Sequence, residues 1–521
     1  MSHLVVLVIS FLGKIVGVGK SLFIAALFGT AMELDAFYIA YMLPFLLPDV
    51  LKGIVSNAFI PQFMRSVQGQ PDKADWTGIN TLFTTMIIFL VLLSSVLYIS
   101  ASQVVFFLAP GADSETQKLA GELLQVMAFI MPVLGINAIL TTLANCFNRF
   151  TVASTESLVT NIIIISGIVF LHLSLGIYAL VYSLMAGFVV YSLVLIYSNF
   201  YLIKSYLKTS FAFSHADFIA PAKQMLPLTV GYIGAITMGI VDTQFVSLLS
   251  SGAISALNYA LMIASLPLET FTQSVIVTHY PRISQYIASG NREQLEAIQI
   301  SGLKAILFFV VPSSAVLFFY SEQIISLLLQ RGNFDESSVV LTSSALTFFS
   351  LSVLARSICY FNYRFLHAAN LSWHQVSVGL LGVVTNIVFN FLLYKPMGLA
   401  GIALATAIAI TQNLILSGII IQKKLQLFFL KNVLQQIGLF IPATAAMLLT
   451  ITLVFNSMQH LLSHLNLSVL MIQHLSIAMG FILGGSIFLI ITTYQKVPEA
   501  VAISNKLKQL FNKFLFWKIP G

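Results

Sequence analysis

GTAMELDAFYIAYMLP (residues 29–44) and SGAISALNYALMIASLP (residues 251–267) are the stretches that decide the fold. Gly29, Asp35 and Pro44 coincide with Gly252, Asn258 and Pro267 at one offset of 223 residues. The displacement returns farther on. Val159-Thr160-Asn161-Ile162 recurs as Val384-Thr385-Asn386-Ile387 at 225, and Gly176-Ile177 matches Gly398-Leu399 at 222. Three matches in chain order at a nearly constant offset indicate an internal duplication.

Both stretches lie in apolar runs, and such runs recur from end to end. Of 521 residues, 58% are hydrophobic and 8% charged, against roughly 25% charged in an ordinary soluble domain. Water is therefore not the main solvent. A bilayer crossing needs about 20 predominantly apolar residues, and fourteen such runs can be placed between residues 3–28 and 468–493. The expectation is an all-α polytopic membrane protein of about fourteen transmembrane helices. Each repeat holds six of them, an even number, so both copies enter from the same side and are related by a pseudo-two-fold along the membrane normal. The repeat sets the divisions: residues 1–210 form the first lobe, 211–425 the second, 426–495 the last two runs and 496–521 a basic amphipathic tail. Prolines inside the runs (Pro44, Pro48, Pro132, Pro227, Pro267, Pro312 and Pro442) predict kinked helices around a cavity.

Charge distribution sets the orientation. Loops after even-numbered runs, together with the C-terminal tail, hold 18 of the 25 lysines and arginines, and the opposite side holds Lys118, Arg331 and Lys395. Cytoplasmic loops carry the basic excess, so both termini are expected in the cytoplasm of a bacterial inner-membrane protein. No basic segment precedes the first run and no small-residue cleavage signature follows it, so it reads as a retained helix. The tail KLKQLFNKFLFWK (506–518) interleaves lysine with Leu, Phe and Trp, as an interfacial topology anchor does. The net charge of +7 is scattered over loops instead of gathered in a patch, which argues against nucleic acid.

Four basic residues sit at membrane depth: Lys14 and Lys20 in the first run, Lys52 in the second and Arg356 in the tenth. A charge at mid-helix costs about 2.5–3.5 kcal/mol on insertion scales, so something must offset it. Candidate partners are Asp35 and Asp49, or an anionic ligand in a wet cavity; snorkelling to the interface is the structural alternative. Lys14 and Lys20 project about 120° apart on a straight helix, but Gly13, Gly17 and Gly19 would let it bend and bring both to one cavity. In the second lobe Asp242, Asn386, Asn390 and Thr406 offer hard oxygen ligands suited to a monovalent cation, or equally to hydrogen bonds between helices. His460 and His464 are i,i+4 but lack a third ligand, so no other metal is expected. Cys146 and Cys359 are too few for a disulfide framework and read as packing residues. No P-loop, nucleophile elbow or HExxH occurs, and an enzyme is not expected.

At these residues the chain resembles the MurJ (MviN) family, lipid-linked peptidoglycan precursor flippases of the multidrug/oligosaccharidyl-lipid/polysaccharide exporter superfamily. The likeness is carried by Asp35-Ala36-Phe37 with Leu43-Pro44, Ala58-Phe59-Ile60-Pro61, Ala109-Pro110-Gly111, Asn145 through Asn148-Arg149-Phe150, and Arg331-Gly332-Asn333-Phe334. It implies two six-helix lobes, a central cationic cavity and a groove from the last two helices holding an isoprenoid tail. The implied substrate is lipid II, undecaprenyl-pyrophosphate carrying the disaccharide-pentapeptide, moved from the cytoplasmic to the periplasmic leaflet for cell wall biosynthesis. Lys14, Lys20, Asp35, Lys52 and Arg356 would serve the headgroup. No cofactor is implied beyond the sodium some members bind as a coupling ion; that pattern falls on Asp242, Asn386, Asn390, Ile402 and Thr406, with Asn390 replacing an aspartate. The partners implied are the lipid-linked glycan and membrane lipids, and the chain is expected to act as a monomer. Lysines 14 and 20 stand where many members have arginine, and Pro48 and Met262 align with arginines. Another polyprenyl-linked glycan is therefore an alternative substrate. A small-molecule antiporter of the same superfamily and a non-transporting scaffold are the other readings.

Overall fold

The computed structural model describes residues 2–67, 75–464 and 468–516. Every regular element among them is helical: a bilayer supplies no hydrogen-bond partners, and a helix satisfies its own backbone. In chain order these are α1 (Ser2–Phe28), α2 (Met32–Val67), α3 (Thr77–Ile99), α4 (Ala101–Leu108), α5 (Ser114–Ala128), α6 (Ile130–Cys146), α7 (Phe150–Ser154), α8 (Glu156–Leu175), α9 (Ile177–Ser198), α10 (Phe200–Tyr206) and α11 (Ala216–Val246). There follow α12 (Ala253–Pro267), a π turn (Leu268–Thr272), α13 (Gln273–Ala288), α14 (Arg292–Phe319), α15 (Ser321–Leu329), α16 (Glu336–Ala368), α17 (Ser372–Leu425), α18 (Phe429–Leu462), α19 (Val469–Tyr494) and α20 (Pro498–Phe516). Lys73 and Lys518 lie outside the described residues, as do the side chains of Asp49, Ala58-Phe59-Ile60-Pro61, Arg65, Lys223, Pro227 and Lys513.

Among the described residues eleven helices are long and apolar enough to cross a bilayer, and α5 with α6, bent by 42°, makes a twelfth span. Helix α17 counts there as one but has 54 residues. At about 1.5 Å per residue it would reach roughly 80 Å if straight, far beyond a hydrocarbon core of about 30 Å. It reverses instead at Gly398, whose φ of 56° and ψ of −134° are not helical. A Cβ on Gly401 would lie 2.3 Å from the Leu393 carbonyl oxygen, and Asn386 bonds to Thr406 across the two arms. With both arms counted and the 31 residues of α11 added, the architecture is compatible with fourteen crossings. Of the prolines read as kink sites, Pro312 and Pro442 lie inside unbroken helices, whereas Pro267 is followed by the π turn.

The duplication is written in the backbone. Gly29 and Gly252 (φ 56° and 86°), Asn148 and Asn370 (58° and 59°), and Gly176 and Gly398 (53° and 56°) are left-handed pairs, each 222 or 223 residues apart. The asparagine pair closes equivalent helix ends. Arg149 N–H donates to Ala144 O at 2.7 Å, and Leu371 N–H donates to Leu366 O at 2.8 Å. These are the bonds of a left-handed C-cap, in which asparagine substitutes for glycine.

By packing the chain forms two compact units, Met1–Asn258 with Leu329–Ser338, and Tyr259–Leu328 with Val339–Gly521. In the first unit Trp76, Phe83, Leu90, Met131, Leu143 and Tyr191 form one core, with Trp76 stacked on Tyr206 at 4.7 Å. Residues 331–334 cap α1. Asn333 gives its backbone N–H to Ala26 O at 2.8 Å and its side-chain amide to Leu27 O at 2.6 Å, satisfying carbonyls the helix end leaves open. The approach is so close that a Cβ on Gly332 (φ 58°) would lie 2.2 Å from Ala26 O. Beyond it Asp335 accepts from Ser338 N–H, Ser337 Oγ and Ser338 Oγ, which hold its carboxyl below the usual range. Gly332→Ala combines a left-handed residue with a backbone clash, and is expected to destabilise by about 2 kcal/mol. Thermal unfolding of the purified variant checks this; an unchanged midpoint would mean that the cap is not tight.

In the second unit α18 and α19 pack through Gly480 and Gly484, where a Cβ would approach Ile451 and the Met447 carbonyl. Small residues let backbones close in this way where apolar lipid gives no hydrophobic drive. Phe308, Phe440 and Phe488 fill the seam between α14 and this pair.

Candidate headgroup site

The basic residues of the first unit are positioned by α8. Gly13 and Gly17 of α1, one turn apart, lie against Ser157 and Asn161 of α8; Cβ atoms there would sit 3.1 Å from Ser157 Cβ and 3.0 Å from Asn161 Nδ2. Ser157 Oγ donates to Gly13 O at 3.1 Å and accepts from Asn161 Nδ2 at 3.0 Å. The seam corrects one expectation: these glycines serve packing, and helix α1 is unbroken from Ser2 to Phe28. At about 100° per residue, Lys14 and Lys20 emerge on opposite sides of the seam, Lys14 exposed and Lys20 half-buried. A Cβ on Gly19, beside Lys20, would meet nothing within 4 Å.

Asp35 does not orient the lysines. It is 4% exposed, and its two oxygens accept from Gly252 N–H at 2.6 Å and Ser255 N–H at 2.7 Å. A carboxylate on α2 thus caps the N-terminus of α12, where open N–H groups favour negative charge. Its repeat counterpart, Asn258, turns inward on its own helix and donates to Ile254 O.

Lys52 meets an acid that sequence reading passed over. Its Nζ lies 2.7 Å from Glu156 Oε2, with side chains 30% and 29% exposed. The signal available was a lone acid at the start of an apolar run. Arg356 belongs to the second unit, half-buried on α16 beside the buried Cys359.

Of the candidate cation ligands, the structure joins three in the second unit. Asn390 Nδ2 donates to Asn386 Oδ1 at 3.1 Å, and Asn386 Nδ2 to Thr406 Oγ1 at 3.2 Å, in a chain of buried amides. Ile402 is fully buried on the same arm as Thr406, and Asp242 is a buried residue of the first unit. His460 and His464 stack edge to face at 5.7 Å, and no cluster of three metal-ligating side chains occurs among the described residues.

The sequence profile of the family described as "Lipid II flippase MurJ" matches residues 24–474, most of the chain and nearly all of both repeats. The chain belongs to the MurJ family. Among MurJ relatives, a probable lipid II flippase MurJ of Buchnera aphidicola subsp. Acyrthosiphon pisum is 25% identical over 80% of this chain and 82% of its own length. The lipid II flippase MurJ of Thermosipho africanus is 29% identical over 77% and 81%. A lipid II flippase MurJ solved in an inward closed conformation superposes with a TM-score of 0.75 at 24% identity, covering 94% of this chain and all of that one. An inward-facing multidrug-resistance MATE transporter has the same fold at a TM-score of 0.64 and 13% identity, covering 81% and 98%. This is therefore a multi-pass membrane protein of a MurJ-type fold, from a family of transporters and not of catalysts.

Proposed function

We propose that this chain is a lipid II flippase, moving undecaprenyl-pyrophosphate-linked disaccharide-pentapeptide from the cytoplasmic to the periplasmic leaflet of the inner membrane by alternating access. The supporting observation is membership of the MurJ family across residues 24–474, in a chain that keeps Lys14, Lys20 and Lys52 within membrane-crossing helices. Such charges are costly in lipid and mark substrate paths, and a diphosphate is the complementary partner. Lysine acts on phosphate as a point charge where arginine grips bidentately, so this chain holds its headgroup with fewer directional bonds than an arginine-lined site. Export of negative charge is helped by a cell interior at negative potential, about 2.3 kcal/mol per charge per 100 mV. In this reading both termini are cytoplasmic, the chain acts as a monomer, and α18 with α19 takes the isoprenoid tail. Sodium is the proposed coupling ion that resets the carrier, with Asn386, Asn390, Ile402 and Thr406 of the second unit as its proposed ligands.

The test is rescue of a strain depleted of its own lipid II flippase. Growth and normal cell shape are expected on expression of this chain. No rescue, with accumulation of a different lipid-linked glycan when this chain is depleted from its own cell, would move the proposal to that glycan.

A further inference from the structure

The contact between Lys52 and Glu156 poses a problem for a site meant to receive an anion, because a cation needed by the substrate is already held by a carboxylate. The pair is close, at 2.7 Å, and both side chains are partly exposed. Glu156 occupies the first turn of α8, whose N-cap residue Thr155 makes no side-chain cap. Open N–H groups and the helix dipole favour a carboxylate at that place in the helix. The next residue, Ser157, donates to Gly13 O, immediately before Lys14. The ion pair therefore sits one residue along α8 from the contact between α8 and the backbone beside Lys14.

We propose that Glu156 is a specificity residue, an internal carboxylate that occupies Lys52 in the empty site and excludes the singly charged phosphodiesters of bulk phospholipid. The inference rests on the flippase reading. Phospholipids outnumber any lipid-linked precursor, and discrimination against so abundant a competitor calls for a repulsive or competing element as well as an attractive one. Glu156 supplies it. A tethered group competes at high effective concentration. A phosphodiester brings one negative charge to replace one negative charge and gains nothing by the exchange. A diphosphate brings more negative charge to the exchange, so it displaces Glu156 where the phosphodiester does not.

The experiment is direct binding to the full-length protein in mixed micelles, of phosphatidylglycerol and, separately, of undecaprenyl-diphosphate-linked disaccharide-pentapeptide. Loss of a partly exposed ion pair corresponds to about a fivefold change, so Glu156→Gln is expected to bind phosphatidylglycerol about fivefold more tightly. Glu156→Asp, which keeps the charge, is expected to stay near wild type. Lys52→Gln removes the contested cation and is expected to weaken diphosphate binding and to leave phosphatidylglycerol binding as in wild type. Unchanged phosphatidylglycerol affinity in Glu156→Gln overturns the proposal, as does an equal rise of that affinity in Lys52→Gln, which remains informative should Glu156→Gln not fold. Absence of any wild-type binding of the diphosphate lipid overturns the flippase reading as well, whereas unchanged phosphatidylglycerol affinity overturns only the role of Glu156.

Discussion

Proteoliposomes carrying the Lys14→Ala, Lys20→Ala double variant are expected to flip the diphosphate-linked substrate at least about a hundredfold more slowly than wild type. A hydrogen bond to a charged group contributes about 1.5–3 kcal/mol; two together give 3–6 kcal/mol, and each 1.4 kcal/mol is a factor of ten. Stability is expected to move the other way. A lysine at membrane depth carries an insertion cost of about 2.5–3.5 kcal/mol, so Lys20→Ala alone should leave the thermal midpoint unchanged or raise it. Loss of transport with retained or raised stability separates a binding role from a structural one. Lys20→Arg extends the test, since a guanidinium grips phosphate bidentately, and it should flip at least as fast as wild type. Full transport by the double variant would remove the lysines from the mechanism.

Asp35→Ala is expected to produce the largest loss of stability of any single substitution considered. Both carboxylate oxygens accept buried backbone donors of another helix, Gly252 N–H and Ser255 N–H. Truncation strands two donors at about 1–3 kcal/mol each, a loss of about 4 kcal/mol in all. The residue is 4% exposed, so the freed donors are buried ones. Asp35→Asn keeps one acceptor oxygen and should lose about half as much. Thermal unfolding in detergent reads both, and the order Ala worse than Asn worse than wild type is the signature of a cap. Equal midpoints for Asp35→Ala and wild type would show that α12 does not depend on α2.

The contrast between Asp35 and Asn258 marks how far sequence reading reached. Their common place in the repeat was visible from one offset, and the solvent, the helical class and the duplication were all legible. Their separate roles were not, because a repeat fixes which positions correspond and says nothing of what each side chain meets. Gly13 and Gly17 read as points of bending and turned out to be points of contact with Ser157 and Asn161. Arg331-Gly332-Asn333-Phe334 was legible only as a family signature, and its physical reason, satisfying the open end of α1, needed Asn333 and Ala26 to be seen together.

The sequence by itself determined that this chain lives in a bilayer, that it is built from two copies of one helical plan, and that it retains cations where lipid would reject them. Those properties follow from composition, periodicity and offset, which are local or additive along the chain. Tertiary structure alone decided that Asp35 serves the backbone of α12, that Lys52 is already held by Glu156, and that α17 is a hairpin closed at Gly398. A hydrogen bond or ion pair depends on separation and direction over a few ångströms, and residues 52 and 156 or 35 and 252 acquire that proximity only when the helices pack.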